Sequence, residues 1–124
     1  MILIIGGAYQ GKLDYAKAAF SVSEEDVFSC TGDTIDFSKR CVNRIEEFTY
    51  GCVRKGVEPK TFFQTHREQW RDSILICQDI FCGVVPMDAD QREWRQATGR
   101  LCQYLAGEAS QVSRIFCGLE QRLK

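Results

Sequence analysis

A glycine-rich segment near the N-terminus has the residue types and the spacing of a phosphate-binding loop. Residues 6–13 read Gly-Gly-Ala-Tyr-Gln-Gly-Lys-Leu, which fits the pattern G-x-x-x-x-G-K. Glycines let the backbone curl until successive N–H groups point at one phosphate, and the N-terminus of a following helix adds positive partial charge. Lys12 would reach the outer phosphates of a nucleotide as a point charge. We therefore predict that these phosphates are bound by Gly6, Gly7, Ala8, Tyr9, Gln10, Gly11, Lys12 and Leu13.

Leu13 stands where this loop pattern usually has a serine or a threonine. That hydroxyl binds Mg²⁺, which neutralises the β- and γ-phosphates during phosphoryl transfer, and a leucine side chain has no oxygen to offer. We expect phosphate binding to survive this change and efficient kinase chemistry to be lost. The alternative interpretation is a glycine turn between a strand and a helix, in which Lys12 is incidental.

An aspartate follows a second apolar run of the chain. Asp79 comes just after residues 74–77, which read Ile-Leu-Ile-Cys. A carboxylate at the C-terminal end of a parallel strand lies beside the ligand site of an open α/β sheet. We predict that Asp79 is a catalytic residue that holds Mg²⁺ directly or through water, with a turn- or helix-capping aspartate as the alternative. Asp33, which follows another predicted strand end, is a weaker candidate.

The elements that would position these residues alternate between strands and helices. The β-branched run at residues 2–5 is typical of a strand buried on both faces of a parallel sheet. Such alternation predicts a mostly parallel sheet with helices on both faces. In the first half of the chain, the patterns predict a helix after Lys12, a strand at 27–30, a long helix from Asp36 or Ser38 to Gly56 and a helix from Pro59 towards Trp70. In the second half they predict a strand at 73–77, a turn at 83–86, a helix capped by Asp88, a strand at 112–117 and a tail, 118–124, that returns beside this last strand.

Length, charge and cysteine usage restrict the class of protein. A chain of 124 residues predicts a single domain, 1–124, and a net charge of −1 without a basic stripe argues against nucleic acid as a partner. The apolar N-terminal run is too short for a signal or membrane segment, so we expect a soluble cytoplasmic protein with no membrane partner. The seven cysteines form no C-x-x-C pair and are expected to be reduced core residues.

Several motifs in series resemble one known family. They are Ile-Ile-Gly-Gly-Ala at 4–8, Gly-Val-Val-Pro at 83–86, Arg-Glu-Trp-Arg at 92–95, Gly-Arg-Leu-Cys-Gln-Tyr-Leu-Ala at 99–106, and the closing Gly118 with Leu-Lys at 123–124. In this order and spacing they resemble the bifunctional adenosylcobinamide kinase / adenosylcobinamide-phosphate guanylyltransferase family, over roughly residues 1–20 and 73–124. The resemblance implies an α/β fold of the three-layer, P-loop NTPase-like (RecA-like) kind. It also implies cobalamin biosynthesis, ATP or GTP with Mg²⁺ as cofactors, a nucleotide and a cobinamide as ligands, and assembly as a homo-oligomer.

The chain also departs from the family at identifiable places. The family's Arg-Ser is here Tyr9-Gln10, its Asn-Glu-Val-Gly is here residues 78–81, and residues 21–72 do not match. The histidine that accepts the nucleotidyl group in the family has no counterpart at its place. His66, the sole histidine, lies seven residues before the strand predicted at 73–77 and is expected to be an exposed surface residue.

Two functions follow from the resemblance and the departures together. The first is a cobinamide kinase/cobinamide-phosphate guanylyltransferase-like protein that binds a nucleotide at residues 6–13, with the guanylyltransferase activity doubtful. The alternative is a catalytically impaired nucleotide- or phosphate-binding module derived from that enzyme, with a regulatory or assembly role.

Overall fold

A mostly parallel sheet forms the centre of the computed structural model, which describes residues 1–80 and 88–124. The described strands follow the spatial order β2-β3-β4-β1-β5-β6, and neighbouring strands run parallel except for the antiparallel pair β5–β6. Their bounds are β1 Ile2–Gly6, β2 Val27–Ser29, β3 Cys41–Asn43, β4 Ile74–Gln78, β5 Gln111–Phe116 and β6 Leu119–Arg122. The predicted strands at 2–5, 27–30, 73–77 and 112–117 are confirmed, and so is the return of the tail.

Helices cover both faces of this sheet, as the alternation predicted. Their bounds are α1 Lys12–Phe20, α2 Ile45–Arg54, α3 Pro59–Thr65, α4 Arg67–Trp70 and α5 Ala89–Glu108, with a 3₁₀ turn at Glu24–Asp26. Successive strand residues point to opposite faces. Ile4 therefore packs with Ala16 of α1, whereas Leu3 packs in the cluster that holds Phe48 of α2 and Leu101 of α5. The α/β class with a mostly parallel sheet and helices on both faces is confirmed.

The helix after the undescribed residues 81–87 begins where the sequence predicted. The Asp88 carboxylate accepts a hydrogen bond of 2.7 Å from the N–H of Asp90, a side-chain cap at the start of α5. The turn predicted at 83–86 lies outside the described residues. Within 1–80 and 88–124, no helix combines the length and the apolar composition that crossing a membrane requires.

The long helix predicted from Asp36 or Ser38 to Gly56 is wrong in its first half. Residues Cys41–Asn43 are strand β3, and only Ile45–Arg54 is helical. Cys41 and Val42 are both fully buried, one in the cluster on each face of the sheet, which is the pattern of a central strand. The apolar spacing across residues 37–52 therefore joined a strand to a helix by coincidence, because steps of four match both a helical face and alternate strand positions.

Candidate functional site

The glycine-rich loop connects the end of β1 to the start of α1. Tyr9 has φ 59° and Gly11 has φ 90°, so the backbone twice enters the left-handed region before the helix begins. Only glycine adopts that conformation without cost, which explains the residue type at position 11. The Lys12 ammonium donates to the Gly7 carbonyl at 2.6 Å, folding its side chain back over the loop. The sequence motif is therefore a formed, curled structure at the strand–helix junction.

Residues that directly follow two other strands, β4 and β5, hold this loop by hydrogen bonds. The N–H of Asp79, just past β4, donates to the Gly6 carbonyl at 2.7 Å. On the other side, the β5–β6 turn binds Gln10 twice: the Cys117 N–H donates to Gln10 Oε1 at 2.6 Å, and the Gly118 N–H donates to the Gln10 carbonyl at 2.9 Å. Gln10 is thus a positioning residue for the loop.

A cavity of about 530 Å³ opens above the loop. It lies at the carboxyl ends of β1, β3 and β4, the edge at which open α/β sheets bind ligands. A volume of this size accommodates a small-molecule ligand. Its described lining consists of Ala8, Tyr9, Gln10, Gly11, Lys12, Leu13, Asp14, Asn43, Arg44, Glu46, Glu47 and Gln78.

Lys12 is the central cation of this cavity. Burial lowers the pKa of its ammonium below the ordinary value, because the charged form loses hydration. Glu46 opposes this and raises the pKa of Lys12, with smaller contributions from Cys77 and Asp79. The net effect is a lowered pKa, and the nearby carboxylates offset part of the cost that burial imposes on the charged form.

Glu46 is a site residue that the sequence analysis missed. Its side chain is only 5% exposed, and Oε1 accepts a 2.9 Å hydrogen bond from the N–H of Gln78 at the end of β4. The backbone carbonyl of Glu46 accepts a 2.9 Å hydrogen bond from Trp94 Nε1, which links α5 to the start of α2. The wrong helix boundary placed Glu46 in mid-helix, whereas it lies one residue into α2, beside the cavity. The sequence carried no local signal for this placement, because it depends on β3 ending at Asn43.

The sequence predicted one Mg²⁺ ligand, Asp79, and none at Leu13. Leu13 is half-buried and packs against the apolar cluster that contains Ile4 and Ile115, with no oxygen at that position. In the described part of the chain, no three His, Cys, Asp or Glu side chains are placed to hold a metal ion. Asp79 lies near Lys12, but its metal-binding role remains a prediction. Asp33 is exposed and forms an ion pair with Lys55.

His66 lies away from the loop, between α3 and α4. Its ring stacks on Phe62 at a centroid distance of 4.1 Å, and Nδ1–H donates to the Phe62 carbonyl at 2.7 Å. The neighbouring Arg67 pairs with Glu108, the last residue of α5, which puts His66 at the amino-terminal edge of the sheet. The expectation of an exposed histidine is wrong, since the ring is half-buried against an aromatic neighbour.

The cysteines of the described chain carry no disulfide, and most are buried. Burial raises the pKa of Cys30 to about 12 and those of Cys41 and Cys52 to about 11. Cys117 is instead exposed, and it lies in the β5–β6 turn that is hydrogen-bonded to Gln10. The prediction of buried core cysteines therefore fails for Cys117 and is not tested for Cys82, which lies outside the described residues.

We expect iodoacetamide at pH 8 to alkylate Cys117 at least tenfold faster than Cys30, Cys41 or Cys52, because buried thiols form little thiolate. Peptide mapping by mass spectrometry during a time course checks this. A Cys117→Ser variant should lose the fast adduct and leave the slow adducts unchanged. Equal labelling of a buried cysteine would contradict the described packing.

Comparison with known families finds one match, over the C-terminal part of the chain. A family model described as cobinamide kinase / cobinamide phosphate guanyltransferase matches residues 53–123, more than half of the chain. The glycine-rich loop precedes the matched segment, while β4, α5 and the β5–β6 turn lie within it. No curated protein matches the sequence.

Proposed function

Because the chain belongs to the cobinamide kinase / cobinamide phosphate guanyltransferase family, we propose that it binds ATP or GTP by the phosphates in the cavity above residues 6–13. The observation that carries the proposal is the curled loop with Lys12 at its end. A left-handed Gly11 and the N-terminus of α1 adjoin the cavity, and Lys12 faces it. N–H groups at a helix N-terminus and a lysine are the usual means of binding a polyphosphate.

The acceptor in this proposal is a cobinamide, whose hydroxyl oxygen would form a bond to the terminal phosphorus as the nucleoside diphosphate leaves and the hydroxyl proton passes to solvent. Lys12 binds the outer phosphates and offsets part of their charge, and the loop N–H groups hold the remaining phosphates in place. Guanylyl transfer through a histidine is not part of the proposal, because His66 lies at the opposite edge of the sheet.

A second candidate, a nucleotide-binding module with impaired transfer, is favoured by Leu13. Its side chain supplies no metal ligand and packs into the apolar cluster below α1. Nucleotide binding without efficient phosphoryl transfer is consistent with this residue, and a regulatory or assembly role would need only the binding.

Titration calorimetry with ATP, GTP and GDP, each with Mg²⁺ and with EDTA, tests both candidates. We expect the wild-type affinity for ATP to change less than about threefold when Mg²⁺ is removed. In a Leu13→Thr variant the restored hydroxyl is expected to make Mg²⁺ strengthen ATP binding by about tenfold, or 1.4 kcal/mol.

Phosphate transfer to cobinamide separates the candidates. Transfer by the wild type supports the enzyme, and binding without transfer supports the module. Failure of the wild type to bind any of the three nucleotides would contradict the proposed function.

A further inference from the structure

A second basic side chain lines the cavity from the side away from the loop. Arg44 directly follows β3 and precedes α2, and it lines the same cavity as Lys12. In the sheet, β4 separates β3 from β1, so Arg44 and the loop flank the end of β4. An anion in the cavity therefore has a cation on each side.

The backbone of Arg44 adopts a conformation that arginine rarely takes. It has φ 60° and ψ 45°, in the left-handed region, at the N-cap position of α2. Glycine or asparagine would adopt these angles more readily. Residues held in sparsely populated conformations cluster at functional sites, so the backbone angles of Arg44 are consistent with a functional role for its side chain.

The guanidinium of Arg44 is only loosely paired. Nη2 lies 3.4 Å from Glu47 Oε1 and Nε lies 3.9 Å from Glu46 Oε2, while the side chain is 55% exposed. By contrast, Arg100 approaches Glu58 at 2.9 Å. A guanidinium has five N–H donors in a fork that matches phosphate oxygens, so Arg44 retains donors for a ligand. The Arg44 side chain makes no capping hydrogen bond at the N-terminus of α2.

We propose that Arg44 is a phosphate-binding residue, which contacts the outer phosphates of the nucleotide across the cavity from Lys12. This rests on the proposed function. Arg44 adds positive charge to a site in which Leu13 removes the usual metal-binding hydroxyl. The ligand class is a polyphosphate of at least two groups, so that one phosphate can lie in the loop beside Lys12 while another contacts Arg44 on the opposite side of the cavity.

The left-handed backbone offers a variant that separates binding from folding. Arg44→Gly removes the side chain and fits the backbone, so its melting temperature should equal or exceed that of the wild type. Its affinity for ATP and for inorganic tripolyphosphate should fall about tenfold in calorimetric titrations, and Arg44→Lys should recover part of the loss. Ser21→Gly is the matched control, since Ser21 has φ 53° at the far end of α1. It should keep the wild-type affinity.

Two results would overturn the inference, and they differ in what they imply. If Arg44→Gly binds ATP and tripolyphosphate like the wild type while Lys12→Ala does not, Arg44 has no part in binding and the proposed function stands. If the wild type binds neither probe, the proposed function fails and the inference fails with it.

Discussion

Replacing Lys12 by alanine is expected to weaken ATP binding by about 100-fold, or 2.7 kcal/mol. Lys12 is a partly buried cation at the mouth of the loop, and hydrogen bonds to charged groups contribute about 1.5–3 kcal/mol each. In the variant, the loop N–H groups remain but the cation is gone. Calorimetric titration with ATP, in parallel for both proteins, measures the difference.

The matched control for this change is Lys17→Ala. Lys17 lies on the same helix and pairs with Glu24, away from the cavity lining. It should leave the ATP affinity unchanged. Equal affinities of Lys12→Ala and the wild type would show that the lysine is incidental to a glycine turn. A thermal melt of Lys12→Ala guards against misfolding, and little loss is expected because a cation is removed from a partly buried place.

Replacing Gly6 by alanine is expected to lower the free energy of unfolding by about 2–3 kcal/mol. A Cβ at this position would lie 2.6 Å from the Ile115 carbonyl oxygen of β5. Gly6 is paired on both sides, with Gln78 of β4 and Ile115 of β5. The backbone therefore cannot move away from the added Cβ without disturbing the strand pairing. Urea denaturation followed by the fluorescence of the buried Trp70 measures the loss.

Two other glycines provide controls for this experiment. A Cβ on Gly7 would meet Gln10 Cγ at 3.6 Å, an ordinary contact, so Gly7→Ala should stay within about 0.5 kcal/mol of the wild type. Gly107, on α5, has nothing within 4 Å of its Cβ position, and Gly107→Ala should stabilise the helix by about 0.5–1 kcal/mol. Gly6→Ala unfolding at the same urea concentration as Gly7→Ala would contradict the described contact.

The local part of the site could be predicted from sequence, because its determinants are adjacent in the chain. An apolar strand, two glycines and a lysine before an amphipathic helix specify the loop between β1 and α1 without reference to the rest of the fold. Asp79 was placed near Lys12 for a topological reason, since parallel strands end at one edge. Its catalytic and metal-binding roles remain predictions.

The far wall of the cavity could not be predicted in the same way. Arg44 and Glu46 line the cavity only because β3 ends at Asn43. The apolar spacing of this short strand continues that of α2, so the sequence pattern predicted one long helix instead. Nor did the sequence reveal that Gln10 binds the β5–β6 turn, because that contact joins residues 107 positions apart. Long-range hydrogen bonds leave no local pattern to recognise.

The contact between Gln10 and the β5–β6 turn has a consequence for the time at which the loop becomes complete. During synthesis, β1 emerges first, yet its described partners are β4 and β5, and Gln10 must await Cys117 and Gly118. A nascent chain on the ribosome therefore carries the loop sequence long before it has the loop's hydrogen bonds. The chain must be made as far as Gly118 before the loop conformation is fully supported, and this delay is typical of folds whose central strands pair over long sequence distances.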